Sequence, residues 1–143
     1  MIRRTIRRLG TITNWHESEI IIDRKSKFQA RNVNITSESE IPQVLSQFKQ
    51  QHKSIAKNAS HPHMLAWRTG EVLDGKQTNI KQGFKDNGES GAGSKILELL
   101  IKHNIVNVLV IVTRWYGGTP LGGSRFRHIT NTTLKTLQNS NKL

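Results

Sequence analysis

The sequence contains no cysteine, only three prolines and one tyrosine, and few acidic side chains: 10 Asp and Glu against 22 Lys and Arg in 143 residues. Without cysteine the chain forms no disulfide bond, no thiolate metal site and no thiol nucleophile. No apolar run approaches the roughly 18 to 20 residues of a membrane-spanning helix, and the first residues lack the apolar stretch of a secretory signal. We therefore expect a cytoplasmic protein that does not enter a membrane.

Basic residues are in excess, and the formal net charge is +12. A strongly basic domain usually binds nucleic acid, a ribosome or an anionic membrane, although dispersed lysines also serve only to keep a small domain soluble. Residues 1–17 are interpreted as a basic N-terminal arm, because Arg3, Arg4, Arg7 and Arg8 precede the first acid at Glu17. Such an arm reaches phosphate groups or is a frayed terminus. If residues 1–9 act as a targeting segment, the alternative location is the mitochondrion.

Residues 18–143 are predicted to form one folded domain. Short β-branched runs predict strands at residues 20–22, 28–35, 64–68, 79–86 and 106–113, with a loop at residues 69–78 between the third and fourth. Apolar residues on one helical face predict helices around residues 41–48, 96–101 and 126–137. The order of these elements predicts an α/β fold (α+β, two-layer) in which one mixed sheet packs against helices.

Two glycine-rich loops stand immediately before predicted helices. Helix N-termini present unpaired N–H groups, and glycine lets the backbone approach an anion closely, so either loop is suited to a phosphate. Neither loop matches a standard nucleotide-binding motif, because Ser124 and Arg125 stand where a P-loop requires Lys and Ser or Thr. The first loop contributes Asp86, Gly88, Glu89, Gly91 and Gly93.

The second loop and the helix after it carry the candidate residues for binding phosphate, RNA or a protein partner. Arginine forks suit phosphate and exposed aromatic rings suit bases. The alternative is structural: Asp86 or Glu89 pairs with an arginine of the second loop and locks the two loops together. With Lys95 of the preceding helix, the candidates are Arg114, Trp115, Tyr116, Gly117, Gly118, Gly122, Arg125, Arg127 and His128.

A catalytic or metal site is a weaker interpretation. His61 and His63, with Asp86 and Glu89, offer metal ligands, but their spacing matches no helix-borne metal motif. The sequence also lacks the Gly-x-Ser-x-Gly turn of hydrolases that use a serine nucleophile. We predict no catalytic residues, no metal and no cofactor, and keep an enzyme acting on a phosphorylated or nucleotide substrate as an alternative.

Several motifs, in order along the chain, resemble the IMPACT family, a group of translation regulators that is related to bacterial YigZ-type proteins. The resemblance covers residues 18–137, nearly the whole chain. The motifs are Asp23-Arg-Lys-Ser-x-Phe28, Ala59-x-His61, Ala66-x-Arg68, Phe84-x-Asp86-x-Gly-Glu89, Ala92-Gly93, Val112-x-Arg114-Trp-Tyr-Gly-Gly118, Leu121-Gly122 and Arg125-Phe-x-His-Ile129.

The resemblance implies an IMPACT-type domain at residues 18–143, similar in fold to the second domain of a small-subunit ribosomal protein and to domain IV of elongation factor G. Those proteins contact RNA, so a ribosome or RNA is the expected partner. Eukaryotic relatives regulate translation initiation under starvation stress by competing for the activator of a stress kinase, which makes that pathway a second source of partners. The sequence departs from these relatives because it shows no RWD domain, and from bacterial members because it shows no ferredoxin-like domain.

Overall fold

The structure, a computed structural model, describes residues 8–143, and within them it confirms the predicted α+β class. A short 3-10 turn at Glu38–Glu40 precedes the first helix. The strands and helices in chain order are β1 (Ile21–Asp23), β2 (Ser26–Asn34), α1 (Ile41–Gln51), α2 (Lys53–Asn58), β3 (His61–Leu73), β4 (Lys76–Lys85), α3 (Ala92–Lys102), β5 (Val108–Trp115) and α4 (Ser124–Asn139).

The five strands of the described residues form one sheet in the order β1-β2-β5-β3-β4. Every pairing is antiparallel, so the sheet is not mixed as expected. The reason lies in the connections: β1–β2 and β3–β4 are hairpins with two-residue turns, which only antiparallel strands can make. The last strand, β5, then enters between the two hairpins and runs antiparallel to both neighbours.

The β3–β4 hairpin is longer than the sequence indicated. The loop predicted at residues 69–78 is wrong, because both strands continue through it to a turn at Asp74 and Gly75. These two residues have φ values of 50° and 76°. Two successive positive φ values are typical of the tight turn that suits the right-handed twist of a hairpin. As the last strand in the order, β4 forms one edge of the sheet.

The sheet is covered on both faces, which gives three layers rather than the two expected. On one face Val108, Val110 and Val112 of β5 pack in the core formed with α3 and α4. On the other face Leu109 and Ile111 pack in the core formed with α1. Successive side chains of a strand point to opposite faces, so an apolar run such as β5 requires cover on both.

The segment before β1 lies along α1. One face of this helix carries a glutamine every fourth residue, and these side chains accept hydrogen bonds from the segment. The N–H groups of Leu9 and Ile12 donate at 2.9 and 2.7 Å, and the Trp15 indole N–H donates at 2.7 Å, with Trp15 buried in the α1-side core. The acceptors are, in the same order, Gln43, Gln47 and Gln51.

Arg3, Arg4 and Arg7 of the predicted arm lie outside the described residues. Among residues 8–143, no helix is both long and apolar enough to cross a membrane.

The central strand generates a stability prediction. Ile111→Ala should lower the free energy of unfolding by about 2–5 kcal/mol, because it opens a cavity at a fully buried position of the α1-side core. The same change at Ile101, which is 42% exposed, is the control and should cost less than about 1 kcal/mol. Urea denaturation followed by tryptophan fluorescence measures both, and equal losses would contradict the buried position of β5.

Candidate functional site

The two glycine-rich loops meet at one end of the sheet and enclose a cavity of about 380 Å³. A larger cavity of about 630 Å³ lies beside the β3–β4 hairpin, but it contains none of the predicted site residues. The candidate site is therefore the smaller cavity, which we call the loop cavity. Its lining comprises His61, Gly88, Glu89, Ser90, Arg114, Tyr116, Pro120, Leu121, Gly122 and Arg125.

The lining of the loop cavity contains a buried carboxylate, Glu89, that three other lining side chains contact. Only 3% of the residue is exposed. Its Oε1 atom lies 2.5 Å from Nη1 of Arg114 and 3.4 Å from Nη1 of Arg125. Its Oε2 atom lies 3.1 Å from Nε2 of His61, whose Nδ1 faces the carbonyl oxygen of Asn87 at 2.8 Å. Three cationic or imidazole groups thus converge on one carboxylate.

Arg114 is a buried member of this cluster. It lies near the end of β5, and its guanidinium carbon is 5.2 Å from the centre of the Phe28 ring and 5.4 Å from that of Tyr116. A planar guanidinium stacks well on aromatic faces, and a buried charge requires a partner, which Glu89 supplies. The position of Arg114 therefore ties β5 to the first glycine-rich loop.

Asp86 has a different role from Glu89. Its two carboxylate oxygens accept hydrogen bonds from the N–H groups of Gly91, at 3.1 Å, and Gly93, at 2.8 Å. These N–H groups belong to the start of α3, where the backbone has no partner within the helix. Asp86 thus caps α3 and fixes the loop that carries Glu89.

The second loop is held against the β1–β2 turn. The Gly117 N–H donates to the buried hydroxyl of Ser26 at 3.1 Å, and Arg114 Nη2 lies 3.5 Å from the same oxygen. A Cβ at Gly117 would stand 2.2 Å from the carbonyl carbon of Lys25, so only glycine fits. On the other side, the Tyr116 N–H donates to Ser60 Oγ at 2.8 Å.

The remaining predicted residues are distributed around the cavity. Gly118 and Gly122 have φ values of 92° and 57° in the second loop. Arg127 is exposed on α4, and Lys95 pairs on α3 with Glu98 at 3.5 Å, outside the cavity lining. Trp115 follows Arg114 on β5 and therefore lies on the opposite face of the sheet from the cavity. The structure thus gathers Glu89, Arg114, Tyr116, Gly122 and Arg125, but not Lys95 or Trp115.

His128 contacts the β1–β2 turn rather than the cavity. Its Nε2 donates to Asp23 Oδ2 at 2.7 Å, and Arg24 adds a contact to the other oxygen at 3.3 Å. The hydrogen bond from His128, followed by that from Arg24, holds the pKa of the Asp23 carboxyl below its ordinary value. A lowered carboxyl pKa contributes stability that is present above the ordinary value and is lost as the pH falls through the lowered one.

Five site residues were missed at the sequence level: Ser26, Ser60 and Asn87, which hold the two loops, and Ser90 and Pro120, which line the cavity. Ser26 and Asn87 lie within or beside family motifs, but short polar side chains carry no signal of a long-range contact. Asn87 Oδ1 accepts from the His63 N–H at 3.0 Å and so joins β3 to the first loop. Among residues 8–143, no group of three or more His, Asp or Glu side chains is arranged to hold a metal ion.

The architecture defines a small α+β domain with two facing glycine-rich loops, and comparison assigns it to a family. Residues 24–137 match the family model described as the Impact N-terminal domain. The chain belongs to the IMPACT family, as its motifs predicted.

Relatives differ in how much of their length the chain covers. The chain is 46% identical over 154 residues to the IMPACT family member YDL177C of Saccharomyces cerevisiae, across 87% of this chain and 90% of that protein. It is 40% identical over 111 residues to Protein IMPACT of Homo sapiens, across 78% of this chain and 33% of that protein. The chain therefore spans nearly all of one relative and a third of the other.

Solved structures share the fold. A structure described as the two-domain translational regulator Yih1 has a TM-score of 0.59 and 32% sequence identity, with 98% of this chain and 54% of that chain covered. A crystal structure of a hypothetical protein has a TM-score of 0.66 at 24% identity, across 85% of this chain and 56% of that chain. The second similarity concerns the fold alone.

The buried carboxylate predicts a strong dependence of stability on its charge. Glu89→Gln should lower the free energy of unfolding by about 3–5 kcal/mol, because it leaves the buried guanidinium of Arg114 without a countercharge. Glu98→Gln is the matched control, and since it breaks only an exposed pair it should cost less than about 1 kcal/mol. Urea denaturation measures both, and a small loss at Glu89 would show that Arg114 finds another partner.

The close approach at Gly117 gives a second prediction. Gly117→Ala should destabilise the fold by about 1–3 kcal/mol, since the added methyl group displaces the Lys25 backbone. Gly123→Ala is the control. Gly123 has a φ of −66° and open space where a Cβ would stand, so alanine at this position should raise the free energy of unfolding by about 0.4–1 kcal/mol. Thermal unfolding distinguishes them, and equal shifts in Tm would refute the contact.

Proposed function

We propose that this chain is a non-enzymatic binding module that regulates translation in the cytoplasm by contacting the ribosome or RNA. The regulatory part rests on the family and on its similarity to a solved translational regulator. The contact with RNA rests on one feature of the structure, a group of cationic residues on the β1–β2 turn and the first turn of α4, of which Arg125 lines the loop cavity.

These residues come from two elements that touch each other. Arg24 and Lys25 form the exposed β1–β2 turn, and Arg125 and Arg127 lie in the first turn of α4. The turn is joined to the helix because Arg24 Nη2 donates to Ser124 Oγ at 3.1 Å. We call these four residues the cationic rim.

Within residues 8–143, two of the four cations of the rim form no ion pair and remain available to an external anion. Arg24 pairs with Asp23 at 3.3 Å, and Arg125 has a longer contact with Glu89 at 3.4 Å. Neither Lys25 nor Arg127 forms an ion pair with any residue between 8 and 143. Because phosphates supply the sequence-independent part of nucleic-acid affinity, this rim suits the backbone of RNA.

The cavity favours binding over catalysis. Its carboxylate is held by two arginines, and its arginines donate hydrogen bonds rather than accept protons. Two guanidinium groups in one cavity suit an anion. The imidazole of the lining, His61, has both ring nitrogens in contact with the protein, Nε2 with Glu89 Oε2 at 3.1 Å and Nδ1 with the Asn87 carbonyl oxygen at 2.8 Å. Tyr116, with 48% of its surface exposed, adds a ring on which a base stacks at the edge of the rim.

Salt dependence tests the contact. If the four rim cations neutralise four phosphates of single-stranded RNA, affinity should fall about fiftyfold between 50 and 200 mM salt. Fluorescence anisotropy of a labelled oligonucleotide measures this, and co-sedimentation with ribosomes at both salt concentrations extends it to the particle. A flat salt curve with retained ribosome binding would instead indicate a protein partner, such as one in the stress-kinase pathway.

Charge-matched variants locate the surface. Lys25→Gln with Arg127→Gln should lower the slope of log affinity against log salt by about 1.4, since two phosphate contacts are lost. Lys49→Gln with Lys53→Gln removes the same charge from exposed positions of α1 and α2 and should leave the slope nearly unchanged. Equal slopes for the two double variants would mean that net charge, rather than the rim, binds RNA.

A further inference from the structure

Three buried polar atoms in the lining of the loop cavity have no hydrogen-bond partner within the described part of the chain. They are Glu89 Oε2, Arg114 Nε and Arg125 Nε. His61 Nε2 is near Glu89 Oε2, at 3.1 Å, but Nδ1 of the same ring donates to the carbonyl oxygen of Asn87, and a neutral imidazole with its hydrogen on Nδ1 has none on Nε2 to donate to the carboxylate. Buried polar atoms without partners are uncommon and costly, so a cluster of them beside a cavity points to a ligand that supplies the missing partners.

The chemistry of the three atoms restricts the ligand. A carboxylate oxygen only accepts hydrogen bonds, and a guanidinium only donates them. The ligand must therefore present a donor to Glu89 and an acceptor to at least one of the two arginines, and Arg125 is the more exposed of them. A hydroxyl group close to a phosphate satisfies both needs, and this pair of groups occurs in every ribonucleotide but not in DNA, which lacks the 2′-hydroxyl.

Size and surroundings favour a single nucleotide. The volume of about 380 Å³ is near the lower end of the range for ligand pockets, about 300–1,000 Å³. The exposed ring of Tyr116 lies at the edge of the cavity, where a base stacks on it. Arg125 of the cationic rim lines the cavity, and Arg24 is hydrogen-bonded to the adjacent Ser124, so cations lie near the site for the phosphates beside the bound nucleotide.

We propose that the loop cavity binds one nucleotide of single-stranded RNA and distinguishes it from DNA. The 2′-hydroxyl donates to Glu89 Oε2, a phosphate oxygen accepts from Arg125, and the base stacks on Tyr116. This inference rests on the proposed contact with RNA and adds the sugar as the feature that is recognised. Arg114 holds Glu89 in place and is a positioning residue.

The test compares three pentanucleotides of the same base sequence: RNA, DNA and 2′-O-methyl RNA. A hydrogen bond to a charged group should make RNA bind at least about tenfold more tightly than DNA. The 2′-O-methyl oligonucleotide keeps the sugar pucker of RNA but has no hydroxyl hydrogen to donate. It should therefore bind as weakly as DNA. Anisotropy at 50 mM salt on the unmodified protein measures all three, so the result does not depend on a variant that folds.

Two variants separate the nucleotide from the rim. Tyr116→Leu should weaken binding of all three oligonucleotides about tenfold, because the stacking surface is lost. Arg127→Gln, the control on the rim, should weaken all three by a smaller common factor and leave the ratio of RNA to DNA unchanged. An unchanged affinity of Tyr116→Leu would overturn the proposed stacking position.

The outcomes distinguish this inference from the proposed function. Equal affinities for RNA and DNA, with the expected salt slope, would overturn the recognition of the sugar and leave the RNA contact standing. Equal affinities for RNA and 2′-O-methyl RNA would also overturn it, because sugar shape rather than the hydroxyl would then be recognised. No binding of any oligonucleotide would overturn both.

Discussion

The contact between Glu89 and Arg114 determines how the two glycine-rich loops are arranged. One partner lies on the loop before α3 and the other on β5, and both are almost fully buried. An isolated buried charge costs several kcal/mol, so neither side chain can move away without the other. The remaining contacts follow from this pair: Asp86 fixes the Glu89 loop from the helix side, and Ser26 joins Arg114 to the loop at Gly117.

Because of these contacts, a substitution that keeps only the positive charge of Arg114 would not preserve the site. The guanidinium of Arg114 contacts the rings of Phe28 and Tyr116 while it pairs with Glu89. A lysine in its place would keep the charge and lose both the planar stacking and the fork of donors. The exposed ring of Tyr116 is thereby positioned by a buried ion pair, so the surface offered to a ligand is set from inside the protein.

Most helices and strands were predictable from periodicity, whereas their arrangement was not. The stripe of Ile96 and Leu100 indicated α3, and the run from Val108 to Val112 indicated a strand buried on both faces. The β3–β4 hairpin was underestimated because its outer part extends beyond the core: Val72 and Leu73 are exposed there, so no burial pattern marks the strands. Backbone pairing and a tight turn, rather than apolar contacts, form that part of the sheet.

The candidate site was predictable to the same extent: the sequence indicated its residue types but not how they pair. The types of residue in the two loops indicated that charged groups meet, and the pairing of Glu89 with arginine was one of two alternatives. The choice between them depends on a distance across 25 positions of sequence, which spacing cannot supply. The register of β5 between β2 and β3 brings Arg114 opposite Phe28 and His61, and only the folded sheet defines it.

One consequence of the sheet order concerns the excess of basic residues. The outer strand β4 has unpaired N–H and C=O groups along its open side, and such edges attract the edges of other chains. Its exposed lysines, Lys76, Lys81 and Lys85, place like charges wherever two copies would add strand to strand. Part of the positive charge of this chain thus acts against its own aggregation, independently of any partner that the cationic rim binds.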